Sequence, residues 1–119
     1  MPNYVDGYVL PVPKKNLPAY RRLALKMAKI FREHGALEVR ECVGDELAPQ
    51  MGVPFPRKVK LLPGDTLVFS WIVFKSRADR DRVNARVMTD SRCSSMDLKT
   101  MPFDPKRMLY GGFTVLVDA

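Results

Sequence analysis

The sequence predicts an α+β domain of ferredoxin-like β-α-β-β-α-β order: a four-stranded antiparallel sheet with two helices on one face. Three observations predict it. Four short segments are apolar and β-branched, as strands are, and two longer ones repeat apolar residues at three- and four-residue spacing, as helices do. These fall into two β-α-β halves separated by a proline-rich excursion over residues 45–65. The third strand, Leu67-Val-Phe-Ser-Trp-Ile-Val-Phe-Lys75, is apolar at nearly every position, which reads as burial on both faces. The two helices cover one face only. A second copy is expected on the other, giving a two-fold homodimer with sheets packed face to face. The chain of 119 residues fits one domain, residues 1–119, with one core.

Tyr4-Val-Asp-Gly-Tyr-Val-Leu10 reads as the first strand, ended by Pro11 and Pro13 because proline cannot donate to a ladder. Asn16 suits a helix N-cap, with Pro18 tolerated in the first turn. Tyr20, Leu23, Ala24, Met27, Ile30, Phe31 and His34 then form one apolar stripe, with Arg21, Arg22, Lys26, Lys29 and Arg32 mostly between them. Gly35 suits the position after the helix. The second strand spans residues 36–44, with Leu37, Val39, Glu41 and Val43 on one face. Within the excursion, Lys58–Leu62 is a candidate short element, and a loop of this length is usually functional or covers something. Ser76-Arg-Ala-Asp79 resembles a capping box opening a helix that runs to about Asp90, with Val83 and Val87 on its buried side. Residues 91–105 read as irregular. Lys106–Val117 is the last strand, where Gly111-Gly112 suggests a bulge or a close backbone approach.

Hydrophobic residues at 46% and charged residues at 28% fit a globular chain, and no apolar run approaches the roughly 20 residues that span a bilayer, so no membrane is expected. The net charge of +7 permits an acidic partner, but the basic residues are spread over helices and loops without a block. Cys42 and Cys93 have no metal-ligand spacing, and Tyr4 already begins a strand with no secretory signal before it. A reducing cytoplasm is the expected compartment.

The stretch Tyr4-Val-Asp-Gly-Tyr-Val-Leu-Pro-Val-Pro-Lys-Lys-Asn16 resembles the opening of the bacterial YbaA-like family of uncharacterised domains. The same family pattern is seen in Glu33–Glu38, Phe69-Ser-Trp-Ile-Val73, Asp79-Arg-Asp-Arg-Val-Asn84, Met101-Pro-Phe-Asp104 and Tyr110-Gly-Gly-Phe113. The resemblance covers almost the whole chain and departs from the family in the Asp45–Gln50 loop. It implies the dimeric α/β-barrel form of the ferredoxin-like fold and no established activity. Barrels of this kind host monooxygenases, haem-degrading enzymes, isomerases and binding proteins, with a cavity between sheet and helices. Function must therefore come from the site.

His34 is the only histidine. It is either a general base facing that cavity or a helix-end residue bonded to a neighbouring carbonyl or carboxylate. A single imidazole cannot build a multi-histidine site, so no metal, haem or other cofactor is expected. Asp6 in a central strand and Glu41 on an apolar face each need a partner or a raised pKa. Either carboxylate pairs with His34 as acid and base, or is neutralised by an arginine such as Arg40, Arg92 or Arg107. Tyr8, Trp71 and Tyr110 offer stacking surfaces for a flat ligand, or serve as core and dimer contacts. Arg92 offers a bidentate contact to an anion, or binds a protein carboxylate.

The leading reading is a homodimer that binds or transforms a small molecule. Two alternatives stand beside it. A nucleic-acid-binding module shares this element order, but the RNA-type aromatic and basic pattern is absent from the central strands, so nucleic acid is not expected as a partner. The other is a regulatory or structural dimer whose long loop binds a protein.

Overall fold

A computed structural model describes residues 2–119. Strand β1 spans Tyr4–Pro13, helix α1 Leu17–His34, β2 Glu38–Val43, β3 Asp65–Phe74, α2 Arg77–Thr89, a short α3 Ser91–Ser94, and β4 Leu109–Thr114. The sheet order is β2-β3-β1-β4 and every neighbouring pair is antiparallel, so β1 and β3 are central. This is the ferredoxin-like arrangement that the element order predicts.

β1 does not stop at Leu10. It runs through Pro11 and Pro13, which pair with Leu67 and Asp65. The Lys14 amide donates to the Gly64 carbonyl at 2.8 Å, which continues the ladder with even-numbered amides facing β3. The proline nitrogens therefore face the other side, where β4 begins only opposite Val9. No ladder bond is lost, so the prolines are tolerated.

Pleating divides the sheet into two unlike faces. Leu10, Val12, Val68, Ile72 and Phe74 are buried toward the helices. On the opposite face only the paired Pro11 and Leu67 are buried. Phe69 stays 48% exposed and Phe113 59%, with Val5, Val9, Trp71 and Val73 part-buried beside them. The double burial read from Leu67–Lys75 is thus complete on one side only within one chain.

The Schellman bonds expected at Gly35 are present. Gly35 adopts φ 121°, its amide reaches the Arg32 carbonyl and the Ala36 amide reaches that of Phe31. Asn16 does not cap α1 with its side chain; its Nδ2 donates instead to the Pro102 carbonyl at 3.0 Å and ties down the segment before β4. Ser76 Oγ accepts the Asp79 amide at 3.1 Å and caps α2. Residues 91–107 are more regular than the sequence suggests: α3 and two 3₁₀ turns, at Leu98–Thr100 and Pro105–Arg107, start from aspartates that accept backbone amides. The turn at Pro105–Arg107 also explains why β4 begins only at Leu109. In the excursion the ordered element is a 3₁₀ turn at Phe55–Arg57 rather than Lys58–Leu62. Gly111 and Gly112 pair with Gly7 and Asp6 without a bulge. Gly112 is a close approach: a Cβ there would lie 2.4 Å from the Tyr4 hydroxyl.

Two apolar clusters fill the helix side. One is centred on Ile30, Phe74, Val83 and Val87, the other on Leu10, Val12, Tyr20 and Val68, and Tyr8 packs against both.

Candidate functional site

Small side chains on the inner side of α1, Ala24 and Ala28, leave space between this helix and the sheet. The result is a cavity of about 230 Å³. Its polar wall is Tyr8, Tyr20, Glu41 and Ser70. Met27, Met96, Met101 and Met108 supply a soft wall, and Phe31 and Phe103 add ring surface. Methionine suits such a wall because its unbranched chain adapts to what it meets. A second, neighbouring space of about 700 Å³ lies between α1 and β2 and shares Tyr20, Ala24, Ala28, Val39 and Glu41 with the first. Glu41 and Tyr20 therefore border both spaces.

The Tyr20 hydroxyl donates to Glu41 Oε1 at 2.6 Å, and Tyr20 itself is buried with its ring edge-on to Phe103. Glu41 is exposed as a residue rather than buried, but partial desolvation of its carboxyl pushes it above the usual range, while the Tyr20 bond works the other way. Burial, followed by the bond to Glu41, holds the Tyr20 phenol well above its ordinary value. Tyr8 is likewise raised, first by burial and then by the Asp6 carboxylate. A carboxylate whose proton affinity is raised at the wall of an apolar space can exchange a proton with a bound molecule or bind a donor.

Asp6 belongs to a neighbouring but closed cluster under α2. It is fully buried, and its Oδ1 accepts from Arg80 Nη1 at 2.8 Å. The same nitrogen donates to the Tyr110 hydroxyl at 2.9 Å, and the guanidinium lies 4.9 Å from the Tyr4 ring centroid. Tyr110 stacks on Tyr8 with centroids 5.0 Å apart. Asp6 Oδ2 has no hydrogen-bond partner.

The residues singled out from sequence fall into four places. Tyr8 and Glu41 line the cavity. Asp6 and Tyr110 adjoin it through Tyr8. His34 and Arg92 lie where α1 meets the end of α2: His34 Nε2 is 2.9 Å from Asp90 Oδ2, and Arg92 bridges Asp90 and Glu33. Arg92, then His34, holds the Asp90 carboxyl well below the usual range. Neither lines the cavity, and His34 pairs with neither Asp6 nor Glu41. Trp71 points to the opposite face, 5.5 Å from Phe69 between ring centroids, because its neighbours Ser70 and Ile72 take the helix side. None of the three arginines named as partners serves Asp6 or Glu41: Arg40 pairs with Glu38, Arg92 with Asp90 and Glu33, and Arg107 with Asp65.

Two residues escaped sequence reading. Tyr20 passed as one more member of an apolar stripe. Arg80 is marked in the sequence only by its spacing: it lies three and seven residues before Val83 and Val87 and so shares their side of α2. Among the described residues there is no cluster of three or more histidine, cysteine or acidic side chains placed to hold a metal, and no helix is long and apolar enough to cross a membrane.

Comparison with known proteins adds kinship without chemistry. The profile of a family described as "Protein of unknown function (DUF1428)" matches residues 3–105. Uncharacterized protein YbaA of Escherichia coli strain K12 is 41% identical over 115 residues, covering 97% of both chains. YbaA of Shigella flexneri matches to the same extent. Among solved structures, a dimeric ferredoxin-like protein from an uncultured marine organism aligns over 100% of both chains with a TM-score of 0.61 at 11% identity. That likeness concerns the fold.

Proposed function

We propose, for a chain that belongs to the family of proteins of unknown function DUF1428, that it is a homodimeric binding protein for a small organic molecule held between α1 and the sheet. One observation carries this reading: a largely apolar cavity whose few polar groups converge on Glu41 and Tyr20. Of the three acid–base candidates, Glu41 is the one on its wall. His34 and Asp6 hold helices in place through Asp90 and Arg80. Tyr8 and Ser70 complete the polar wall, and Tyr110 supports Tyr8 from behind.

The homodimer is supported by the open sheet face. Phe69, Leu109 and Phe113 are each about half exposed, with Trp71 and three valines beside them. Contiguous apolar surface of this kind marks an interaction site. Gly7 and Gly111 lie under the Phe113 ring and keep the face flat enough for a second sheet. The structural neighbour described as dimeric is consistent with this.

Native mass spectrometry of gently sprayed protein tests both parts. The expected spectrum is a dimer carrying a small additional mass, and Ala24→Phe, which fills the cavity, is expected to lose that mass while remaining dimeric. A monomer would refute the face-to-face assembly. A dimer that keeps its adduct in Ala24→Phe would place the ligand elsewhere.

A further inference from the structure

Resting on that cavity reading, we infer that the bound molecule is a hydrophobic organic cation: a protonated amine on an aromatic or branched apolar body. The first support is charge. The chain carries a net charge of +7, yet the only formally charged side chain on the cavity wall is the acidic Glu41. Of two carboxylates on the helix side of the sheet, Asp6 on central β1 has Arg80, and Glu41 on edge strand β2 has a phenol but no lysine or arginine. Glu41 is exposed as a residue, and its carboxylate meets no basic side chain of the protein, which leaves that position to a cationic ligand.

The second support is the rest of the wall. Aromatic faces attract cations through their quadrupole, and Tyr8, Tyr20, Phe31 and Phe103 all line this space. Polarisable methionines accommodate varied apolar bodies around them. Tyr20 fixes one carboxylate oxygen through its bond to Oε1, which leaves Oε2 to meet an ammonium donor. The one cationic side chain along the neighbouring space is Arg21.

Three probes of one shape separate the alternatives: naphthylmethylamine, charged at neutral pH, naphthylmethanol, neutral, and naphthoate, anionic. Isothermal titration is expected to rank the amine at least about tenfold tighter than the alcohol, with naphthoate weakest. Glu41→Gln is expected to erase the gap between amine and alcohol while leaving alcohol binding in place, and Glu41→Asp to restore part of it. Equal affinity for amine and alcohol in the unaltered protein would overturn the cation and leave the cavity standing. Preference for naphthoate would overturn it in favour of Arg21. Failure of all three probes to bind would overturn the cavity reading itself. Thermal melting of both variants checks that each is folded.

Discussion

Two carboxylates on the same side of one sheet have opposite surroundings. Asp6, on central strand β1 beneath α2, is sealed: Arg80 bonds it, Tyr4 and Tyr110 hold the arginine, and the carboxylate is fully buried with one oxygen unpaired. Glu41, on edge strand β2 beneath α1, meets one phenol and two adjoining spaces. The difference arises from the helices. α2 presents Arg80 beside Val83 and Val87, whereas α1 presents the small Ala24 and Ala28. A buried charge supplied with its own counter-ion serves the fold. An exposed carboxylate with only a neutral partner, as at Glu41, is available for a ligand.

The largest effect is expected at the sealed end. Asp6→Ala strands the Arg80 guanidinium and should lower unfolding free energy by about 3 kcal/mol or more. Glu41→Ala should cost no more than about 1 kcal/mol, since the Tyr20 hydroxyl can turn to the neighbouring space. Urea denaturation of the two variants measures both, and equal losses would abolish the distinction. Next in size, Gly112→Ala places a methyl group against the Tyr4 hydroxyl and should cost about 1–3 kcal/mol, loosening the aromatic support of Arg80. Double substitution with Tyr4→Phe should recover part of that loss in the same assay. Tyr20→Phe removes one hydrogen bond and should cost about 1 kcal/mol, checked by its shift in thermal midpoint.

The smallest effect is a difference in pH dependence. Glu41 has a raised pKa in the folded state, so the folded chain binds that proton more tightly than the unfolded chain. Its contribution to stability is full below the unfolded value of about 4.3 and fades as pH rises toward the folded value. Asp90, depressed by Arg92 and His34, has the opposite sign: its contribution is full above about 3.9 and is lost on acidification. Urea midpoints across pH should therefore lose their decline above pH of about 4 in Glu41→Gln and their acid-side decline in Asp90→Asn.

Much of the fold was legible because it rests on local signals. The stripe from Tyr20 to His34, Gly35 and the Ser76 cap each have a direct counterpart. What misled were signals whose meaning depends on a distant neighbour. Pro11 and Pro13 look like strand breakers until β4 is seen to begin only opposite Val9. Asn16 looks like a cap until Pro102 arrives from 86 residues away. The site was less legible for the same reason. The sequence marks Asp6 in a central strand and Glu41 on an apolar strand face, but only Asp6 is buried, and which of them has a cation depends on whether α1 or α2 lies overhead. Trp71 separated from Tyr8 because residues of odd and even number in β1 and β3 face opposite sides.

The cavity under α1 can be tested directly by methionine-methyl NMR during titration with naphthylmethanol. Four methionines line the space, Met27, Met96, Met101 and Met108, whereas Met51 and Met88 are 89% and 75% exposed elsewhere. The predicted result is that the four signals shift together while those of Met51 and Met88 stay fixed. Shifts confined to Met51 or Met88, or four unmoved cavity signals at saturating probe, would contradict a ligand site between α1 and the sheet.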